Sequence, residues 1–133
     1  MKTIIAGTRT IEDKNVIYLA ISKSKFEITQ VVSGKAKGVD SIGEEWAVEN
    51  DVSIAEFPAH WQQFGNKAGP LRNQEMAEYA DALIVVWDGH STGTKDMIKR
   101  AKRNGLKVFV YDIIEERQNK KSEKELSDLG FEF

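Results

Sequence analysis

Two spacings of apolar residues alternate along this chain. Residues 2–6, 27–33, 51–57, 82–87 and 106–111 are short β-branched or continuously apolar runs and read as strands. Between them apolar positions recur at helical intervals: Val16, Ile17, Leu19 and Ala20, then Val39, Ile42, Gly43, Trp46 and Ala47. Leu71, Met76 and Tyr79 or Ala80 continue the pattern, followed by Met97, Ile98 and Ala101. Strand alternating with helix implies right-handed crossovers and an α/β fold, a Rossmann-like open, mostly parallel five-stranded sheet with helices on both faces.

The run 82–87 is apolar throughout, as a central strand covered on both sides must be. Pro58 closes the third strand, and Gly105 stands where a helix C-terminal glycine belongs. The first helix is expected over 11–24, after the acidic start Thr10-Ile11-Glu12-Asp13. Residues 59–70 are expected to form a loop longer than most connections, of the kind that carries function. The helices that follow are placed at 71–80, with Leu71 inward, and at 94–104. Trp46 and Trp87 are assigned to the core.

Composition narrows the function classes. The 133 residues suit one domain, read as residues 1–111, followed by a charged helix or tail over 112–133 that docks through Leu126, Leu129 and Phe131. No apolar run has the roughly 20 residues needed to cross a bilayer, so no membrane partner is expected and the cytoplasm is the expected compartment. The absence of cysteine excludes disulfides, thiolate metal sites and a cysteine nucleophile. With only His60 and His90, both on rim loops and read as exposed, no metal and no resident cofactor are expected. A formal net charge of −2 argues against a protein that grips long nucleic acid, although Lys35, Lys37, Lys67 and Arg72 leave room for a local basic patch.

The candidate chemistry lies after the strand ends. In a doubly wound sheet the turns after the carboxyl ends of the strands converge, which brings together Gly7-Thr8-Arg9, Ser33-Gly34, the Trp61 segment and residues 89–94. The last of these, Ser91-Thr92-Gly93-Thr94, opens a helix whose first N–H groups and dipole favour an anion; Ser91, Thr92 or Thr94 also serves as its N-cap. Hydroxyls of Thr8, Ser33, Ser91, Thr92 and Thr94 suit phosphate or ribose oxygens. Gly7, Gly34, Gly38 and Gly93 permit close backbone approach, and Lys37 and Lys67 add charge. Arg9 and Arg72 are candidate phosphate clamps or surface ion-pair partners. Asp40 is either a helix-dipole partner or a ligand contact; Asp88 is a candidate for ribose, and Trp61 for stacking on a base or covering the core. Neither a Walker lysine motif nor GxGxxG is present, which disfavours an ordinary ATPase or dinucleotide oxidoreductase.

Taken in order, GTR, SGKAKGVD, HWQQFGNKAGPLRNQEM and WDGHSTGTKDMI resemble the SLOG superfamily, in particular its small YspA-type members, over residues 1–111. The resemblance implies a Rossmann-like nucleotide-binding fold and a homodimer or higher homo-oligomer, with the helix over 94–104 as its interface. Arg72, Asn73 and Met76 are similar to the arginine helix of the LONELY GUY phosphoribohydrolases, and Gly93-Thr94 to their phosphate loop. Where those enzymes carry a catalytic glutamate this chain has Met97, which neither takes a proton nor stabilises an oxocarbenium ion. Asp88 and Asp96 are the candidate substitutes beside Arg72, although neighbouring helical positions point about 100° apart. The leading expectation is a module that binds a nucleotide or nucleotide-derived signal. The alternative is cleavage of the N-glycosidic bond of a nucleoside monophosphate. A third, single-strand DNA binding, follows from the likeness of SGKAKGVD to a loop of DprA-type proteins.

Overall fold

A computed structural model describes residues 1–115. The expected tail contacts of Leu126, Leu129 and Phe131 lie outside the described residues. Five strands run all parallel in the order β3-β2-β1-β4-β5: β1 Lys2–Gly7, β2 Gln30–Ser33, β3 Ser53–Glu56, β4 Ala82–Trp87 and β5 Lys107–Asp112. The chain winds outward from β1 in both directions, so strand order reverses between β1 and β4.

The two faces follow from the alternation of side chains along β1 and β4. Ile5, Ile84 and Val86 point to the layer of α1 (Lys14–Ser24) and α2 (Val39–Glu49), where they meet Ile17, Ala20, Ile21, Val39, Ile42 and Ala47. Ile4, Ala6, Leu83 and Val85 point to the opposite layer, α4 (Ala68–Tyr79) and α5 (Thr92–Arg103), and meet Met76, Ala77, Met97 and Ala101. Ala82 to Val86 have no measurable exposure, as an apolar central strand requires. Trp46 and Trp87 are half-buried and pack on the two clusters respectively.

Three local readings change. Residues 59–70 are not an open loop: α3 (Trp61–Phe64) and a 3₁₀ turn at Gly65–Lys67 lead directly into α4. Helix α4 therefore begins at Ala68. Pro70 falls in its first turn, where a missing N–H removes no helical bond, so the Gly69-Pro70 pair does not break the helix. Leu71 faces outward, at 44% exposure, because Ala68, Asn73, Met76 and Ala77 form the buried face. Helix α1 starts later than expected because Asp13 is its N-cap, accepting from the N–H groups of Asn15 and Val16 at 3.1 and 3.3 Å. Helix α5 starts two residues early, with Ser91 as the cap.

Among the described residues no helix is long and apolar enough to cross a membrane, and no group of three or more His, Asp or Glu gathers as for a metal ion.

Candidate functional site

The turns after β1 and β4 and the starts of α4 and α5 enclose an open cleft of about 630 Å³ at the carboxyl edge of the sheet. Gly7, Thr8, Arg9, Asp40, Trp61, Arg72, Asn73 and Ser91 to Thr94 all line it. Gly7 is needed because a β-carbon there would overlap the Val86 carbonyl of the neighbouring strand. That close approach continues the ladder one step, with Thr8 donating its N–H to Val86 O at 3.2 Å.

Helix α5 supplies an open N-terminus. Ser91 Oγ accepts from the N–H of Thr94 at 3.4 Å and from its hydroxyl at 3.0 Å, which caps one of the free donors. Thr92 and Gly93 are exposed at the mouth of the cleft, and their N–H groups precede the first helical acceptor. No acidic residue occupies this first turn.

Helix α4 supplies the charge. Arg72 is half-buried, donates from one terminal nitrogen to Gly34 O, and donates from Nε to Asn73 Oδ1 at 3.0 Å. Burial pulls its pKa below the ordinary arginine value, against the raising effect of nearby Asp40. Asn73 is buried and passes the connection on, donating from Nδ2 to Gly93 O at 3.3 Å and to Asp96 Oδ2 at 3.0 Å. Asp96 Oδ2 also accepts from Arg100 Nε at 2.9 Å. The arginine and the start of α5 are thus fixed relative to one another through one amide.

Asp40 lies on the wall of the cleft in the first turn of α2, 5% exposed. Burial pushes its carboxyl up to about 6, opposed by Arg72 and by hydrogen bonds from the backbone of Ala36 and Gly34. The Ala36 N–H approaches Oδ2 at 3.4 Å.

Several sequence candidates sit elsewhere. Asp88 does not line the cleft; its Oδ1 accepts from the His90 N–H at 2.9 Å and from the Thr8 hydroxyl at 3.4 Å, holding its carboxyl below the usual range and tying the β4–α5 turn to β1. Ser33 is buried and donates to Glu44 at 2.9 Å. Gly38 packs against the carbonyls of Thr8 and Arg9, outside the cleft. Gly34 and Lys37 line an adjoining hollow, and Lys67 lines neither space. Asp96 does line the cleft, with Asn73 and Arg100 already on its carboxylate. His60 and His90 are exposed.

Ala6, Thr10, Ala36, Asn66, Gly69 and Pro70 also line the cleft, outside the set expected from sequence. At Gly69 the Trp61 ring lies close, with Cη2 3.3 Å from where a β-carbon would stand, a contact that sequence spacing does not announce.

Comparison with known proteins agrees with this geometry at the level of the fold. The sequence model of the YspA, cpYpsA-related SLOG family matches residues 1–64. The chain is 31% identical over 120 residues to the Gene 61 protein of Mycobacterium phage D29, covering 83% of this chain and 95% of that one. The solved structure of DNA processing protein A (DprA) from Streptococcus pneumoniae superposes with a TM-score of 0.63 at 19% identity, over 82% of this chain. The chain spans about half the length of DprA, 49% of it.

Proposed function

Since the chain belongs to the YspA, cpYpsA-related SLOG family, we propose that it binds a nucleotide or nucleotide-derived ligand in the cleft between β1 and β4. The observation that carries this reading is the pairing of a first turn of α5 without any acidic side chain with Arg72 across one cleft. A phosphate group at Thr92-Gly93 would accept the free N–H donors, gain from the helix dipole and meet the guanidinium. Trp61, 49% exposed on the rim, offers a flat apolar face for a base. Ribose has the hydroxyl of Thr10 and the amide of Asn66 within the same walls. Asp88, turned toward Thr8, is not part of this reading.

Binding without turnover fits the chemistry of the walls. Met97 is buried where a hydrolase of this superfamily would have its carboxylate, and Asp96 already accepts two hydrogen bonds. A second reading, cleavage of the N-glycosidic bond, has one observation in its favour: Asp40 and Asp96 both line the cleft with Arg72. Incubation with each common nucleoside monophosphate separates the two readings. Free base released over many turnovers per chain would replace binding by hydrolysis.

The direct test is titration calorimetry with adenosine and guanosine monophosphates. Arg72→Ala is expected to weaken binding by about 1.5–3 kcal/mol, the scale of a charge-assisted hydrogen bond. Unchanged affinity would take Arg72 out of the site. A homodimer through α5 belongs to the same proposal, and light scattering at the mass of one 15.0 kDa chain would contradict it.

A further inference from the structure

The cleft does not end at Arg72. A second hollow of about 370 Å³ continues from it toward the end of β3, and the two share Arg9, Ala36, Trp61 and Arg72 as their common border. Their walls differ in charge. The main cleft has Asp40 and Asp96, whereas no carboxylate lines the hollow.

The cations of the hollow are also differently engaged. Lys35 is turned away, its Nζ 2.8 Å from Glu44 and 3.4 Å from Glu56. Among the described residues Lys37 and Arg9 have no ion pair, and both are exposed on its wall. Arg72 stands on the border with Nε and one terminal nitrogen committed to Asn73 and Gly34. Its other terminal nitrogen has no protein acceptor among the described residues. Three cations with spare donors, facing a space without a carboxylate, make a place for a second anion.

This inference rests on the reading that a nucleotide phosphate occupies the start of α5. Lys37 lines the hollow and not the main cleft, while Thr92 and Gly93 line the cleft and not the hollow. The two phosphates of a pyrophosphate share one bridging oxygen and lie closer together than those of a nucleoside 3′,5′-bisphosphate, which stand on either side of the sugar. We propose that the hollow beyond Arg72 is a second phosphate subsite, and that the ligand is a nucleotide with two separated phosphate groups, such as a nucleoside 3′,5′-bisphosphate or a 5′-phosphorylated linear dinucleotide. The nucleoside then bridges the border past Trp61, with one phosphate on each side.

Calorimetric titration of the full chain with AMP, ADP and adenosine 3′,5′-bisphosphate tests this. The bisphosphate should bind about tenfold tighter than AMP, a gain that ADP does not match. In Lys37→Gln the ratio between AMP and the bisphosphate should shrink to within about twofold. A bisphosphate no tighter than AMP, an ADP equal to the bisphosphate, or a ratio that survives Lys37→Gln would each overturn the second subsite while leaving the first intact. Failure of all three nucleotides to bind would overturn both.

Discussion

Helices α2 and α5 start in the same way and end up in opposite surroundings. Each follows a parallel strand and a glycine-containing turn, SGKAKGVD in one and WDGHSTGT in the other, and each brings a positive dipole end to the carboxyl edge of the sheet. The start of α2 is closed. Gly38, at φ +74°, is wedged against the carbonyls of Arg9 and Thr8, and the buried carboxyl of Asp40 sits in its first turn. The start of α5 is open: nothing lies within 4 Å of where a Gly93 β-carbon would be, and no acid stands in its first turn. One helix start holds a carboxyl of its own chain; the other holds none.

Substitutions can break this contrast, and the largest effect is expected at Gly38. An alanine there would combine left-handed backbone strain with overlap of two carbonyls, lowering stability by something of the order of 4 kcal/mol in urea denaturation. Gly93→Ala should instead leave stability unchanged or raise it by about 0.5 kcal/mol, since the space is open and alanine favours helix. Equal losses at the two glycines would erase the distinction.

Asp40 provides the next largest effect. Its folded pKa of about 6 lies above the ordinary carboxylate value of 3.8. Folding therefore favours the protonated form, and stability falls as pH rises from about 4 to about 6, then stays low. A shift of this size amounts to about 3 kcal/mol. In Asp40→Asn that fall should disappear, measured as urea midpoints from pH 4 to 8. A wild-type midpoint that rises across this window in step with the variant would contradict the assignment. The smallest effect concerns the open start itself. Ser91→Ala removes the cap of α5 and should reduce stability by about 1 kcal/mol in the same assay.

Much of the scaffold was legible because one period dominates at a time. Residues 82–87 are apolar without interruption, and the strand occupies those same positions. The Gly105 signal marks the end of α5, with its N–H bonded to Lys102 O at 3.2 Å. The region 59–70 reads as a loop from sequence because Gly65, Gly69 and Pro70 are ordinary breakers, whereas Pro70 falls in the first turn of α4 and Gly69 lies under the Trp61 ring. The convergence of the loops after β1 and β4 followed from topology alone. What sequence could not give was direction: Asp88 and Asp96 are both near the loop, yet one carboxylate folds back on Thr8 and the other meets Asn73 and Arg100. Nor could spacing tell which of two similar helix starts is filled, since that depends on Arg9 and Thr8, distant in sequence from Gly38.

The most direct test of the account is amide nuclear magnetic resonance of uniformly labelled protein during titration with AMP. The backbone N–H signals of Thr92 and Gly93 should shift in a saturable manner, together with Arg72, while those of Val39 and Asp40 in the closed helix start move little. Shifts confined to the start of α2, or a titration that leaves Thr92 and Gly93 in place, would contradict the claim that the open start of α5 is where the phosphate binds.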